Sequence, residues 1–225
     1  MHSQKGNIMT ITEKQNALFE ELRKTVPEAV LDGVVEEGEY CSAPIRLMFV
    51  LKEVNGKTVP DLCDFLRKGG RPQTWDNIAR WTEGFLHLEA DRPWEYWEQN
   101  NQSRRERMLK KICAVNVKKT AGGHTSDRKQ VQKAAADNGE ILCRQLKLYN
   151  PDLIICCGTD QEFVKACYPD QSLEWKQTTR GIWYFIKDGK TVLSFVHPEA
   201  RVKDSILHYA LMDAVREIMQ KSSLN

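Results

Sequence analysis

Ile45-Arg46-Leu47-Met48-Phe49-Val50-Leu51 is an apolar run interrupted only by Arg46. Such a run, without polar alternation, predicts a strand buried on both faces, as in a parallel sheet. Ile112 to Val117 repeats the pattern, and Asp152-Leu153-Ile154-Ile155-Cys156-Cys157 does so again before stopping at Gly158. Ile182 to Ile186 and Thr191 to Val196 flank Asp188-Gly189, a pair that predicts a two-residue hairpin turn.

Helical stretches separate these runs. Thr12-Glu13-Lys14-Gln15 reads as a capping box ahead of Leu18, Phe19 and Leu22. Thr74 reads as the cap of a helix carrying Trp75, Ile78, Ala79 and Trp81. Further helices are expected from Pro93 towards Lys111, from Lys129 to Leu148 before Asn150-Pro151, and from Val202 to Lys221. Apolar strands alternating with helices predict an α/β fold, a three-layer α/β/α sandwich with a mainly parallel central sheet.

The 225 residues, 41% of them hydrophobic, are enough for one substantial core. No repeat, low-complexity stretch or Gly/Ser/Pro-rich linker divides them. The expectation is a single domain over residues 1–225, with residues 1–11 a flexible N-terminal segment. Mean hydropathy is −0.54, and no apolar run approaches the roughly 20 residues that span a bilayer. Met1 to Thr10 lacks the apolar core of a secretory signal. A cytoplasmic protein with no membrane partner is therefore expected. The seven cysteines are odd in number and form no Cys-x-x-Cys pair. They read as buried small hydrophobes in a reducing compartment, and no metal or cofactor is expected.

The net charge is only +2, yet Arg104 to Lys133 holds ten basic residues against Glu106 and Asp127. That is +8 locally and leaves −6 for the rest. The excess points to an anionic partner such as a phosphate backbone, with a solvated helix face as the plainer reading.

Ligands of open α/β sheets bind beyond the carboxyl ends of the strands. Lys52, Glu53, Val54, Asn55 and Gly56 follow the first run. Asn116 and then Lys118 to Thr125, with Gly122, Gly123 and His124, follow the second. Gly158 and Thr159 follow the third, and His197, Pro198, Glu199 and Arg201 the last. Polar groups that are costly to bury thus recur at each strand exit.

The order of these pieces resembles the uracil-DNA glycosylase superfamily. Its members follow the first strand with a Gly/acid-or-amide/Pro motif and then an aromatic residue. A Pro-Pro-Ser-Leu-x-Asn-Ile stretch, an apolar strand ending in Asn and a His-Pro-Ser loop come after. Here Phe65 precedes Gly70 and Pro72-Gln73-Thr74-Trp75-Asp76-Asn77-Ile78. Ala114-Val115-Asn116-Val117 with Thr120 to His124, Asp152 to Gly158, and Val196-His197-Pro198 complete the set. Lys52 and Val54 stand where the family's leading Gly and its Pro are expected, and Glu199 replaces the Ser of the last motif.

The resemblance implies a DNA glycosylase that hydrolyses the N-glycosidic bond of uracil or another damaged base. It makes Glu53, Asn55 and His197 the catalytic candidates, and Phe65 and Asn116 the base-binding ones. Lys118, Lys119, His124 and Arg201 become the DNA contacts, with Arg201 at the place of a wedge residue. Side-chain chemistry agrees: an aromatic face stacks on a base, an Asn amide offers a donor and an acceptor to the uracil edge, a neutral His stabilises a departing anion, and a carboxylate opposes an oxocarbenium-like sugar. The alternative is a protein of the same fold that binds nucleic acid or a nucleotide without excision; the altered first motif favours it.

Overall fold

The computed structural model describes residues 9–56, 59–123, 126–169 and 172–222. One seven-stranded sheet has the order β1 (Gly33–Val34), β3 (Ile112–Asn116), β2 (Leu47–Leu51), β4 (Leu153–Cys157), β7 (Lys190–Phe195), β6 (Trp183–Lys187), β5 (Lys176–Gln177). β3, β2, β4 and β7 are mutually parallel, whereas β1, β6 and β5 add antiparallel at the edges. Every residue of β2, β3 and β4 is buried.

Period-two alternation divides those strands between two cores. Leu47, Phe49 and Leu51 pack with Leu62 and Leu66 of α3 (Leu62–Arg67) and with Ile78 and Trp81 of α4 (Pro72–Leu86). Leu211 and Val215 of α10 (Asp204–Ser222) close this side. Met48 and Val50 face the other way, onto Val131 of α7 (Arg128–Asp137), Leu142 and Leu146 of α8 (Gly139–Tyr149) and Phe163 of α9 (Asp160–Cys167). The fold is thus mixed α/β, with helices on both faces of a mostly parallel sheet. Among the described residues, no helix is long and apolar enough to cross a membrane.

Several boundaries differ from expectation. α1 (Ile11–Arg23) is capped by Thr10, whose hydroxyl accepts from the Glu13 amide while Glu13 accepts from the Thr10 amide. The capping box therefore begins before Thr12, which instead donates its hydroxyl to Glu37 of α2 (Glu37–Ser42) at 2.8 Å. Ile11, expected in a flexible segment, is instead the first residue of α1 with Thr10 as its cap; residues 1–8 lie outside the described ones. α4 starts at Pro72 after Arg71, and Thr74 in its first turn bonds Glu199 rather than capping.

The helix expected from Pro93 breaks into α5 (Trp94–Glu98) and α6 (Asn101–Met108) at Asn100, whose φ is +55°. The buried Arg104 guanidinium stabilises the break by donating to the carbonyls of Tyr96, Trp97 and Gln99. Likewise, Asn138 divides α7 from α8, and its amide reaches the Val117 carbonyl at 3.3 Å. The hairpin agrees with its turn chemistry: Asp188 and Gly189 have φ of +50° and +71°, as a type I′ turn requires.

His208 of α10 is 1% exposed, with its ring centroid 4.2 Å from that of Trp97. Burial, followed by Arg80, Arg104 and Arg216, lowers its pKa to about 4 against the opposing pull of Glu83. Below pH 6.5 the unfolded chain takes up a proton that the native imidazole refuses. Stability is therefore lost as pH falls from 6.5 to about 4, by up to about 3 kcal/mol. Urea midpoints across that range should show the slope, and His208→Gln should flatten it. An unchanged slope in the variant would assign the effect elsewhere.

Candidate active site

The parallel strands appear along the chain as β2, β3, β4 and β7, but β2 lies between β3 and β4. The strand order thus reverses beside β2, and the crevice at such a switch point is where α/β sheets bind ligands. The loops leaving β2 and β3 remain paired past the strands. The Lys118 amide donates to the Lys52 carbonyl at 2.8 Å, and the Gly122 amide to the Val54 carbonyl at 2.8 Å. Together with the loop after β7 and the starts of α3 and α4, they enclose a cavity of about 230 Å³.

Glu53, Asn55, Phe65, Asn116 and His197 all line this cavity. Asn116 ends β3 and is 2% exposed. Its backbone amide donates to Asp32 at 2.8 Å, and its side chain lines the cavity. His197 accepts the Glu199 backbone N–H on Nδ1 at 3.1 Å. That bond puts the proton of the neutral imidazole on Nε2. Burial foremost, aided by Lys52 and opposed by Glu199, holds the His197 pKa below its usual value, so the ring is neutral at pH 7.

A polar network on α4 fixes the His197 loop. Asn77 donates to the Pro198 carbonyl and to Asp204, each at 2.9 Å, and Arg80 bridges Asn77 and Asp204 at the same distance. The Thr74–Glu199 bond adds a second tether.

Glu53 is tied down. Its carboxylate accepts from Lys118 Nζ at 2.6 Å, and the two side chains are 5% and 15% exposed. A Cβ on Gly122 would overlap this carboxylate and force it to shift. Lys118 is therefore an internal partner of the site and not a free phosphate contact.

Lys119 also departs from expectation. It is 1% exposed, with Nζ 3.0 Å from both Asp32 oxygens and 2.6 Å from Gln145 Oε1, out of reach of DNA. Arg104 pairs with Glu83, Arg105 with Asp76 and Lys111 with Glu39. Much of the +8 segment thus neutralises carboxylates of the fold and is not a free basic surface. Arg201 is exposed beyond the His197 loop and outside the cavity lining, and His124 lies outside the described residues. Lys52, Arg71, Thr74, Trp75 and Ser126 line the cavity and were not singled out from the sequence as site residues.

No family model matches the chain, and no curated protein matches it. Among solved structures, it is similar to a domain of unknown function from Bordetella bronchiseptica, crystallised with bound citrate as a domain-swapped dimer. The TM-score is 0.37 at 13% identity, covering 80% of this chain and 43% of that one. This chain therefore spans less than half of that protein's length, and so distant a likeness does not bear on the site.

Proposed function

We propose that the cavity receives an extruded nucleobase and that the protein hydrolyses the N-glycosidic bond of uracil or another damaged base in DNA, on the uracil-DNA glycosylase plan its motifs resemble. One observation carries the reading: the Asn116 side chain and a neutral His197 bearing its proton on Nε2 share one cavity with the Phe65 ring. At about 230 Å³ the space is below the roughly 300–1,000 Å³ of drug-sized sites, which suits a single heterocycle.

In this reading the Asn116 Nδ2 donates to O4 of uracil and its Oδ1 accepts from N3–H. Phe65 stacks on the base. His197 Nε2–H donates to O2 as the C1′–N1 electron pair passes to the base. Water bonds to C1′ and releases its proton to the base or to solvent. Asn55, in the cavity lining, positions that water, and Glu53 opposes the charge on the sugar. Phosphate contacts fall to cations left free at this rim, Arg71 and Arg201 among them.

A second reading, base binding without excision, is favoured by one feature: the Lys118 ion pair that offsets the charge of Glu53. Incubating the protein with a uracil-containing oligonucleotide, single- and double-stranded, separates the two. Release of free base supports excision. Binding of the oligonucleotide without release supports the second reading, and neither binding nor release overturns both.

A further inference from the structure

Lys52 differs from the other two lysines at this end of the sheet. Lys118 and Lys119 are each held by a carboxylate, whereas Lys52 makes no ion pair or side-chain hydrogen bond among the described residues. Its backbone is pinned by the Lys118 amide, and its side chain runs over Gly158. Gly158 has φ of +69°, and a Cβ there would lie 3.7 Å from Lys52 Cε and 4.0 Å from the His197 backbone nitrogen. The lysine stem is thus laid beside the His197 loop, at the edge shared by the base cavity and a neighbouring recess of about 260 Å³.

The charged groups nearby leave it unneutralised. Glu53 is taken by Lys118, and Glu199 accepts from Thr74. Asp160, Glu162 and Arg128 line the neighbouring recess, and neither carboxylate there comes within 4.0 Å of the ammonium. His197 feels the cation: Lys52 adds to burial in keeping the imidazole neutral.

We propose that Lys52 is an electrostatic catalyst of base departure: its ammonium stabilises the negative charge that develops on the base as the glycosidic bond breaks. This rests on the excision reading above. The two groups divide the work, His197 providing a directed hydrogen bond and Lys52 a full charge. The C1′–N1 pair leaves with the base, and the incoming water supplies the oxygen bonded to C1′. A cation beside developing charge lowers the barrier to its formation.

The test uses single-turnover excision from two oligonucleotides that carry uracil or 5-fluorouracil at the same position. Fluorine withdraws charge and makes the better leaving group, so help from the protein matters less. Lys52→Met should slow uracil release on the order of 10²-fold, leave oligonucleotide affinity unchanged, and show a clearly smaller loss on 5-fluorouracil. Lys52→Arg should restore most of the rate, because the charge remains. Thermal melting checks that the Met variant is folded. Equal losses on both substrates with weakened binding would make Lys52 a phosphate contact and overturn the inference. So would wild-type rates in Lys52→Met, with the excision reading intact. A wild type that releases neither base overturns both together.

Discussion

Lys119→Met is expected to destabilise the protein by about 3–5 kcal/mol, read as a lower urea midpoint with an unchanged slope. The ammonium is completely enclosed and bound to both Asp32 oxygens and to Gln145. Asp32 is 0% exposed, and it also accepts the Asn116 backbone N–H at 2.8 Å and the Gln145 amide at 2.7 Å. Removing the lysine keeps those hydrogen bonds but leaves a buried carboxylate without its counter-charge. Loss of one partner of a buried pair is far more damaging than loss of both. Asp32→Leu in the Lys119→Met background should therefore recover much of the stability. A surface lysine held for DNA would shift stability by no more than about 0.5 kcal/mol. A loss that small would return Lys119 to the role its sequence context suggested.

The difference between reading Lys119 as a DNA contact and finding it in the core is one of dimension. A run of basic residues looks like one face only while the carboxylates that answer it are out of sight. Asp32, Glu83 and Asp76 come from distant parts of the chain and reach Lys119, Arg104 and Arg105 only after folding. The strands were legible because burial on both faces leaves short, nearly uninterrupted apolar runs between turn signals. The helix breaks at Asn100 and Asn138 were not, since each depends on a tertiary partner, the Arg104 guanidinium and the Val117 carbonyl. For the site, the strand-exit rule was enough to find Glu53, Asn55, Asn116 and His197, which line one cavity. Phe65 came from the family resemblance alone. Lys52 stood in the sequence as a departure from a motif; its unpaired state is visible only once the partners of its neighbours are known.

If the protein excises bases as proposed, His197→Ala should lower single-turnover excision by about 10²–10³-fold, or roughly 2.7–4 kcal/mol of barrier, while DNA affinity stays nearly constant. The hydrogen bond from Nε2–H strengthens only as charge develops on the base, so its loss appears in the chemical step and not in binding. The pH dependence has a definite sign. Burial holds the His197 pKa below its usual 6.5, and protonation would turn Nδ1 from the acceptor of the Glu199 N–H into a competing donor. The wild-type rate should therefore stay level through neutral pH and fall only below about 6.5. Asn116→Asp acts differently. It replaces the donor facing O4 of uracil with an acceptor, which matches the exocyclic amine of cytosine. Uracil release should fall and cytosine release should appear, so this variant changes which base is read while His197→Ala slows the reaction on the same base. Wild-type excision persisting in His197→Ala would show that the anion is stabilised elsewhere. Unchanged base preference in a folded Asn116→Asp would remove Asn116 from the base edge.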